Sequence, residues 1–330
     1  MIKIQHLTKH FRLLDSANGM AGKFKSLFQP SWREIKAVDD LSLEIQTGEI
    51  VGYLGPNGAG KSTTIKLLAE ILYPTAGTVE VNGIVPHRQR KCNAYNIGVV
   101  YGQRSQLSWD LPLIDSFGFL GAMYRVPRAR YNNSIAFLIE LLGMQEFLRQ
   151  PVRNLSLGQR MRGEIAAALL HEPPILYLDE PTVGLDILSK NRVLKFLQDL
   201  NAEKHTTILL TTHNLSDVEQ VCPRIVILDK GKIALDATRS DILQRFGKRR
   251  MLVVQFENGV QNLRLPMGKV AKEEENELWI EFDRDQVSAF DLIASLEKDK
   301  GIVDVSIKEE NIESIVARIY QNHLQDTGPR

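Results

Sequence analysis

Eight residues, Gly55-Pro56-Asn57-Gly58-Ala59-Gly60-Lys61-Ser62, set a glycine, four residues and then Gly-Lys-Ser between an apolar run, Ile50–Leu54, and a helical stretch, Thr63–Leu72. Glycines let backbone N–H groups turn inward and cradle phosphate oxygens, and a helix N-terminus adds partial positive charge at the same place. Lys61 is placed to reach β- and γ-phosphates, and the Ser62 hydroxyl to ligate Mg²⁺. The plain alternative is a glycine-rich turn with an accidental lysine. Strand, loop and helix all agree with a phosphate loop instead.

A second apolar run, Ile175–Leu178, ends in Asp179-Glu180. In open α/β sheets ligands gather at the carboxyl ends of strands. Asp179 there is a candidate Mg²⁺ ligand, and Glu180 a candidate general base for an attacking water. Two acids at a strand end are common in isolation; in a chain with a phosphate loop they gain meaning. A third strand, Ile208–Thr212, leads to His213, a third polar group on the same presumed edge and a candidate for sensing the γ-phosphate.

These groups need a sheet to hold them together. Short apolar runs (Ile50–Leu54, Ile97–Tyr101, Ile175–Leu178, Ile208–Thr212, Ile225–Leu228) alternate with helical stretches from 50 to 235. That alternation predicts an α/β domain with a largely parallel sheet. Residues 2–12 and 36–54 read as strands around an insertion, 13–35. After Thr238 the pattern changes to a small α+β unit. Its strands are expected at Met251–Phe256, Val260–Leu265, Leu278–Phe282 and Ile302–Ile307, and its helices at Val287–Lys298 and Ile312–Tyr320. The division expected is 1–237, a linker 238–249, and 250–330 with a frayed tail.

Composition narrows the classes. The 330 residues carry 41 Lys and Arg against 40 acids, so no global basic field for nucleic acid exists. Hydrophobic residues are 43%, enough to build a core. Two cysteines, Cys92 and Cys222, make no disulfide framework or zinc spacing. No apolar run reaches the roughly 18 residues of a membrane span, and Met1-Ile2-Lys3-Ile4 has no signal-peptide pattern.

Leu155-Ser156-Leu157-Gly158-Gln159-Arg160 opens a helix that leads into the acidic strand. On its own it is a capped helix. With the other elements, in this order and spacing, the chain resembles the ATPase subunit of an ATP-binding cassette (ABC) transporter. The segment is similar to that family's signature Leu-Ser-Gly-Gly-Gln, with Leu157 replacing the first glycine. The resemblance, which runs from residue 1 to about 237, implies roles for further positions. Gly55–Thr63 would bind ATP, with Gln103 as the Q-loop glutamine on Mg²⁺ and the lytic water. Val183-Gly184-Leu185-Asp186 would be the D-loop, and His213 the switch histidine. It also implies a P-loop fold with a helical subdomain over about 104–172. Two cassettes would face head to tail, each ATP lying between one copy's phosphate loop and the other's Ser156, Leu157, Gly158 and Gln159. An aromatic ring near the first strand would stack on adenine: Phe11 matches by position, and Trp32 is a rival.

The stretch Gly102–Pro112 and the insertion around Lys23–Phe28 are similar to a branch of ABC-2-type exporters of viologen and drug type. Such a chain would be peripheral, held at the cytoplasmic face of the membrane by a separate multi-helix permease. It would pair with a second copy or a paralogous cassette, and no nucleic acid is expected. Trp109, Phe117, Phe119, Met123 and Tyr124 read either as a groove for a permease helix or, for most of them, as core of the helical subdomain. The basic, aromatic insertion 20–29 reads as facing membrane or partner, or as a solvated loop. The small C-terminal unit resembles the accessory domains of drug-exporter ATPases, with a ferredoxin-like arrangement expected. A soluble ABC ATPase acting on ribosomes or nucleic acid would predict two cassettes in one chain or a long coiled-coil insertion, and neither is present. A regulatory module that holds ATP without turnover would not need Glu180 and His213.

Overall fold

The computed structural model describes residues 1–14, 32–102, 104–260, 267–296, 301–310, 312–316 and 318–319. The chain divides between Asp236 and Ala237 into two compact units. In chain order the first begins with β1 (Ile2–Leu14), β2 (Trp32–Ile45), β3 (Ile50–Leu54), α1 (Lys61–Leu68), β4 (Ala76–Val81), α2 (Arg90–Asn96) and β5 (Ile97–Tyr101). Three helices follow, α3 (Leu113–Met123), α4 (Arg128–Leu142) and α5 (Leu157–Leu169). Then come β6 (Ile175–Asp179), α6 (Ile187–Lys204), β7 (Thr207–Thr212), α7 (Leu215–Val221), β8 (Arg224–Asp229) and β9 (Lys232–Thr238), which runs across the division.

A six-stranded sheet has the order β5-β6-β7-β3-β8-β9, and β5, β6, β7, β3 and β8 pair parallel with one another in that order. Every residue of β3 is buried, as its continuous apolar sequence requires of a central strand covered on both faces. A second, three-stranded antiparallel sheet, β2-β1-β4, packs its Ile2, Ile4, Leu7, Leu43 and Val79 into the core shared with β3 and α1. The stretch expected as one strand over 36–54 is two, because a turn at Thr47-Gly48 separates β2 from β3. Residues 15–31, most of the insertion, lie outside the described residues.

Of the five apolar residues weighed over 109–124, only Phe117 belongs to the core. Trp109, Phe119 and Met123 are exposed, which corrects the reading of most of them as core. The helical period explains it. Leu113, Phe117 and Leu120 share the inward face of α3, and Phe119 and Met123 fall opposite. Tyr124 is half-buried and stacks on His171, with centroids 4.0 Å apart and planes 2° from parallel.

His171 fastens this helical region to the sheet. Its Nε2 lies 3.1 Å from the Ile97 carbonyl oxygen, an acceptor only, so Nε2 carries the proton. Burial pushes its pKa from 6.5 down to about 4.

The second unit holds α8 (Arg239–Phe246), β10 (Arg249–Phe256), β11 (Lys269–Glu273), β12 (Glu277–Asp283), α9 (Ala289–Ala294) and β13 (Ile302–Glu309). Its sheet, β11-β12-β10-β13, is antiparallel throughout. Strand order and directions are those of a ferredoxin-like sheet, but among the described residues no helix joins β10 to β11. The strand expected at Val260–Leu265 falls mostly on residues outside those described. The observed β11 is charged and fully exposed, so it lacked an alternating apolar signal. The helix expected over Val287–Lys298 is the shorter α9; residues 297–300 lie outside the described residues. Leu252, Val254, Ile280 and Phe282 pack under Leu292 and Leu296 to form this unit's core.

The depressed pKa of His171 has a pH consequence. Between about pH 6.5 and pH 4 the unfolded chain takes the imidazole proton before the folded one does. Stability present above pH 6.5 is therefore lost as pH falls, by about 3 kcal/mol in full. His171→Gln should lose less stability than the unsubstituted chain between pH 7 and pH 4 in denaturant melts. An equal loss in both would contradict the assignment.

Candidate functional site

Register brings the polar strand ends together. Leu54 at the end of β3 pairs with Thr212 of β7, Thr211 pairs with Asp179 of β6, and Asp179 pairs with Tyr101 of β5. The loop after β3 returns as α1, whose N-cap Gly60 has φ +106°. A Cβ there would strike the Ala37 carbonyl oxygen, so only glycine closes this turn.

Lys61 is buried. Its Nζ donates to the Gly55 and Pro56 carbonyl oxygens at 2.6 and 3.2 Å and stands 3.8 Å from Glu180 Oε1. Burial lowers its pKa, and the carboxylates of Glu180 and Asp179 pull it back up. Asp179 Oδ1 accepts from the Ser62 hydroxyl at 3.0 Å and from the Thr211 hydroxyl at 2.7 Å. Glu180 sits in the left-handed region at φ +55°, held by its N–H, which donates to the Thr211 carbonyl oxygen at 3.0 Å. A non-glycine residue there is strained, a state that clusters at functional sites. His213 Nδ1 lies 3.3 Å from Glu180 Oε1. An open pocket of about 470 Å³ is bounded by Asn57, Ser62, Lys66, Asp179, Glu180 and Val183.

The segment Ser156–Gln159 begins α5 with a reciprocal cap. Gln159 N–H donates to Ser156 Oγ at 3.2 Å, and Ser156 N–H donates to Gln159 Oε1 at 2.9 Å. Ser156 and Leu157 are exposed. Among the described residues, none of Ser156–Gln159 lines the pocket beside Glu180. Gly158 is packed so closely on Ser189 that a Cβ would overlap that side chain. Ser189 in turn donates through N–H and hydroxyl to Asp186, at 2.9 and 2.6 Å, where Asp186 caps α6. Ser189 therefore binds the start of α5 to the Val183–Asp186 turn within one copy.

Two buried charges on α5 were not singled out by sequence. Arg162 donates through Nη1 to the carbonyls of Leu142 and Gly143, at 2.9 and 2.8 Å, closing the C-terminus of α4. Its guanidinium also lies 4.8 Å over the Phe147 ring. Glu164 accepts from the Ser105 hydroxyl and, at 3.1 Å, from Gln106 N–H. Burial raises its pKa, and those two donors oppose the rise. An acid among Gly163–Leu170, otherwise small and apolar, was the available signal. Gln103 lies outside the described residues. Phe11 is half-buried with the Lys9 ammonium 5.3 Å over its ring, and Trp32 is exposed; neither lines the phosphate-side pocket.

The ABC transporter family matches residues 38–183. The ABC transporter ATP-binding protein NatA of Bacillus subtilis is 35% identical over 206 residues, 62% of this chain and 83% of that protein. This chain belongs to the ABC transporter ATP-binding family. It is an ATP hydrolase, the ATP-binding subunit of a membrane transporter. The linearmycin resistance ATP-binding protein LnrL of the same organism is 35% identical over 210 residues, 64% of this chain and 67% of that protein. A solved dimeric cassette in a post-hydrolysis state, bound to ADP and Pi, superposes with a TM-score of 0.61 at 26% identity. It covers 72% of this chain and 98% of that one. Among the described residues, no helix of this cassette is long and apolar enough to cross a membrane.

Arg162→Ala should cost about 2 kcal/mol or more, because two helix-end carbonyls lose their donor in a buried place. Chemical denaturation measures it. Arg162→Lys should recover only part, since one ammonium cannot reproduce the planar fork; full recovery would contradict the bonding described.

Proposed function

We propose that this cassette powers an exporter of the ABC-2 type, closing on a second copy around ATP and opening after hydrolysis. The observation that carries the reading is the meeting of Lys61, Asp179, Glu180 and His213 at the ends of β3, β6 and β7. Lys61 now bonds its own loop's carbonyls, an arrangement in which the ammonium is free to exchange them for phosphate oxygens. The loop amides of Gly58–Thr63 complete the cradle.

Oxygen donors on Ser62 and Asp179, 3.0 Å apart and with Lys61 close by, fit a magnesium ion on the phosphates. Ser62 and Asp179 would hold it together with Gln103. Bound, the ion would neutralise phosphate charge. Glu180 accepts a proton from water as the water oxygen attacks the γ-phosphorus, and the bond to the bridging oxygen breaks to release ADP and phosphate. His213, beside Glu180 Oε1, holds that carboxylate in place and meets the γ-phosphate. That Ser156–Gln159 line no pocket with Glu180 of their own copy supports a role on the partner's ATP.

Export rests on the likeness to LnrL, a resistance ATP-binding protein. A separate permease supplies the membrane path, and the cassette docks on its cytoplasmic side. The exposed Trp109, Phe119 and Met123 on and beside α3 suit a helix of that permease. Closing two cassettes on ATP draws this face inward, so the difference in binding energy between ATP and ADP becomes permease motion.

Tagged Glu180→Gln chain taken from membranes with Mg-ATP should lose turnover about a hundredfold or more, stay dimeric with ATP bound, and bring down a multi-helix membrane protein in equal amount. Unchanged turnover would contradict the role of Glu180. Ribosomes or nucleic acid in place of a membrane protein would contradict the transporter reading.

A further inference from the structure

The outer edge of β13 is unlike the other edge of its sheet. At the far side, β11 is five residues long, bears Lys269, Lys272 and Glu273, and is broken by a bulge between Val270 and Lys272. Such short, charged, bulged edges resist pairing with another chain. By contrast β13 runs for eight residues, its one bulge confined to its start at Val303 and Asp304–Glu309 unbroken, and, among the described residues, it pairs only with β10. It presents Val303 at 66% and Ile307 at 42% exposure.

The free edge can be read residue by residue. Val305 N–H donates to Asp304 Oδ1 at 2.8 Å, a side-chain contact next along the chain, so Val305 turns its backbone outward. By the alternation of an antiparallel ladder, Ile307 and Glu309 turn the same way, while a bulge between Ile302 and Asp304 breaks the alternation at Val303. Asp304, Ser306 and Lys308 lie opposite Gln255, Val253 and Met251, on the face away from the buried Leu252 and Val254.

We propose that β13 pairs antiparallel with β13 of a second copy of this chain, about a two-fold axis at Ser306, joining two four-stranded sheets into one of eight strands. In that register, over the unbroken stretch Asp304–Lys308, Val305 meets the partner's Ile307 in hydrogen-bonded pairs. On the outer face Ser306 meets its own counterpart. Asp304 meets Lys308 twice, once on each side of the axis, so the strand complements itself in charge. Asp304 then leaves the Val305 amide, which the partner's carbonyl takes over, and turns to the partner's Lys308. The Lys308 ammonium, 4.1 Å from the Trp279 ring centroid, already lies on that face. A contact in which one patch serves both copies is the commonest way a chain dimerises. Like charges directly opposed would instead destabilise the pairing, which makes the register testable.

The test uses the full chain without nucleotide, so that cassette closure on ATP plays no part. Cys92, the exposed native thiol, is first replaced by serine, leaving the buried Cys222. In that background Ser306→Cys should form a disulfide-linked dimer under mild oxidant, whereas Lys269→Cys on β11 should not. Equal cross-linking of the two would overturn the proposal. In sedimentation, Asp304→Lys and Lys308→Asp should each weaken nucleotide-free self-association about tenfold, and the double exchange should restore it. Two weakened singles with no restoration would overturn the register even if a variant folded poorly. ATP-dependent dimerisation of Glu180→Gln, measured alongside in the Asp304→Lys chain, should persist; its loss only there would refute two separate contacts. If strand pairing fails while that dimer forms, the ATP reading still stands.

Discussion

One carboxylate oxygen holds the site in register. Asp179 Oδ1, at the end of β6, accepts hydroxyls from Ser62 at the start of α1 and Thr211 on β7. Three elements, two of them separated from Asp179 by 117 and 32 residues of chain, meet at one atom. The parallel pairing of β6 with β7 and β7 with β3 makes the meeting possible, because it aligns strand ends that carry polar groups. With Asp179 fixed, Glu180 one residue later is forced into a strained backbone and delivered beside Lys61 and His213.

The same economy governs the segment proposed as the other half of the ATP contact. Ser156–Gln159 do not share a pocket with Glu180 in their own copy, yet they are fastened to the turn that follows Glu180 through Ser189 and Asp186. That turn is anchored again where the Thr182 hydroxyl donates to Asp217 at 2.5 Å and Lys190 pairs with the same buried carboxylate. The turn after Glu180 and the start of α5 are thus linked by hydrogen bonds from Ser189 to Asp186 and by the close packing of Gly158 on Ser189. On the other side of α5, Glu164 grips Ser105 and Gln106, close behind Gln103. One helix thus touches both the segment proposed to meet a partner's ATP and the stretch that leads to the exposed face of α3 proposed for the permease.

Much of this was legible before any coordinates. The phosphate loop and the acidic strand follow from strict local requirements: glycine where φ is positive, a helix N-terminus beneath phosphates, and an apolar strand before the acids. Buried parallel strands are short continuous apolar runs, and their positions agreed to within a residue or so at β5, β6 and β8. What sequence could not show depends on partners distant along the chain. Ser189 is an ordinary helix-start serine until Gly158 is packed on it. Arg162 looks like a surface arginine until the end of α4 closes over it. The exposure of Phe119 and Met123 needed the phase of α3 to be fixed by Phe117. The charged edge strand β11 carries no alternation to read, and the separation of β2 from β3 rests on a two-residue turn.

The central claim is that each ATP is completed by two copies, with Lys61 from one and Ser156 from the other. The most direct measurement mixes two inactive chains, Lys61→Ala and Ser156→Arg, and follows phosphate release. A mixed dimer has one damaged site carrying both substitutions and one site with an intact Lys61 and an intact Ser156. The account predicts that the mixture hydrolyses ATP while neither chain alone does so. If the mixture stays as inactive as its parts at concentrations where dimers form, the two halves of the site belong to a single copy and the account is wrong.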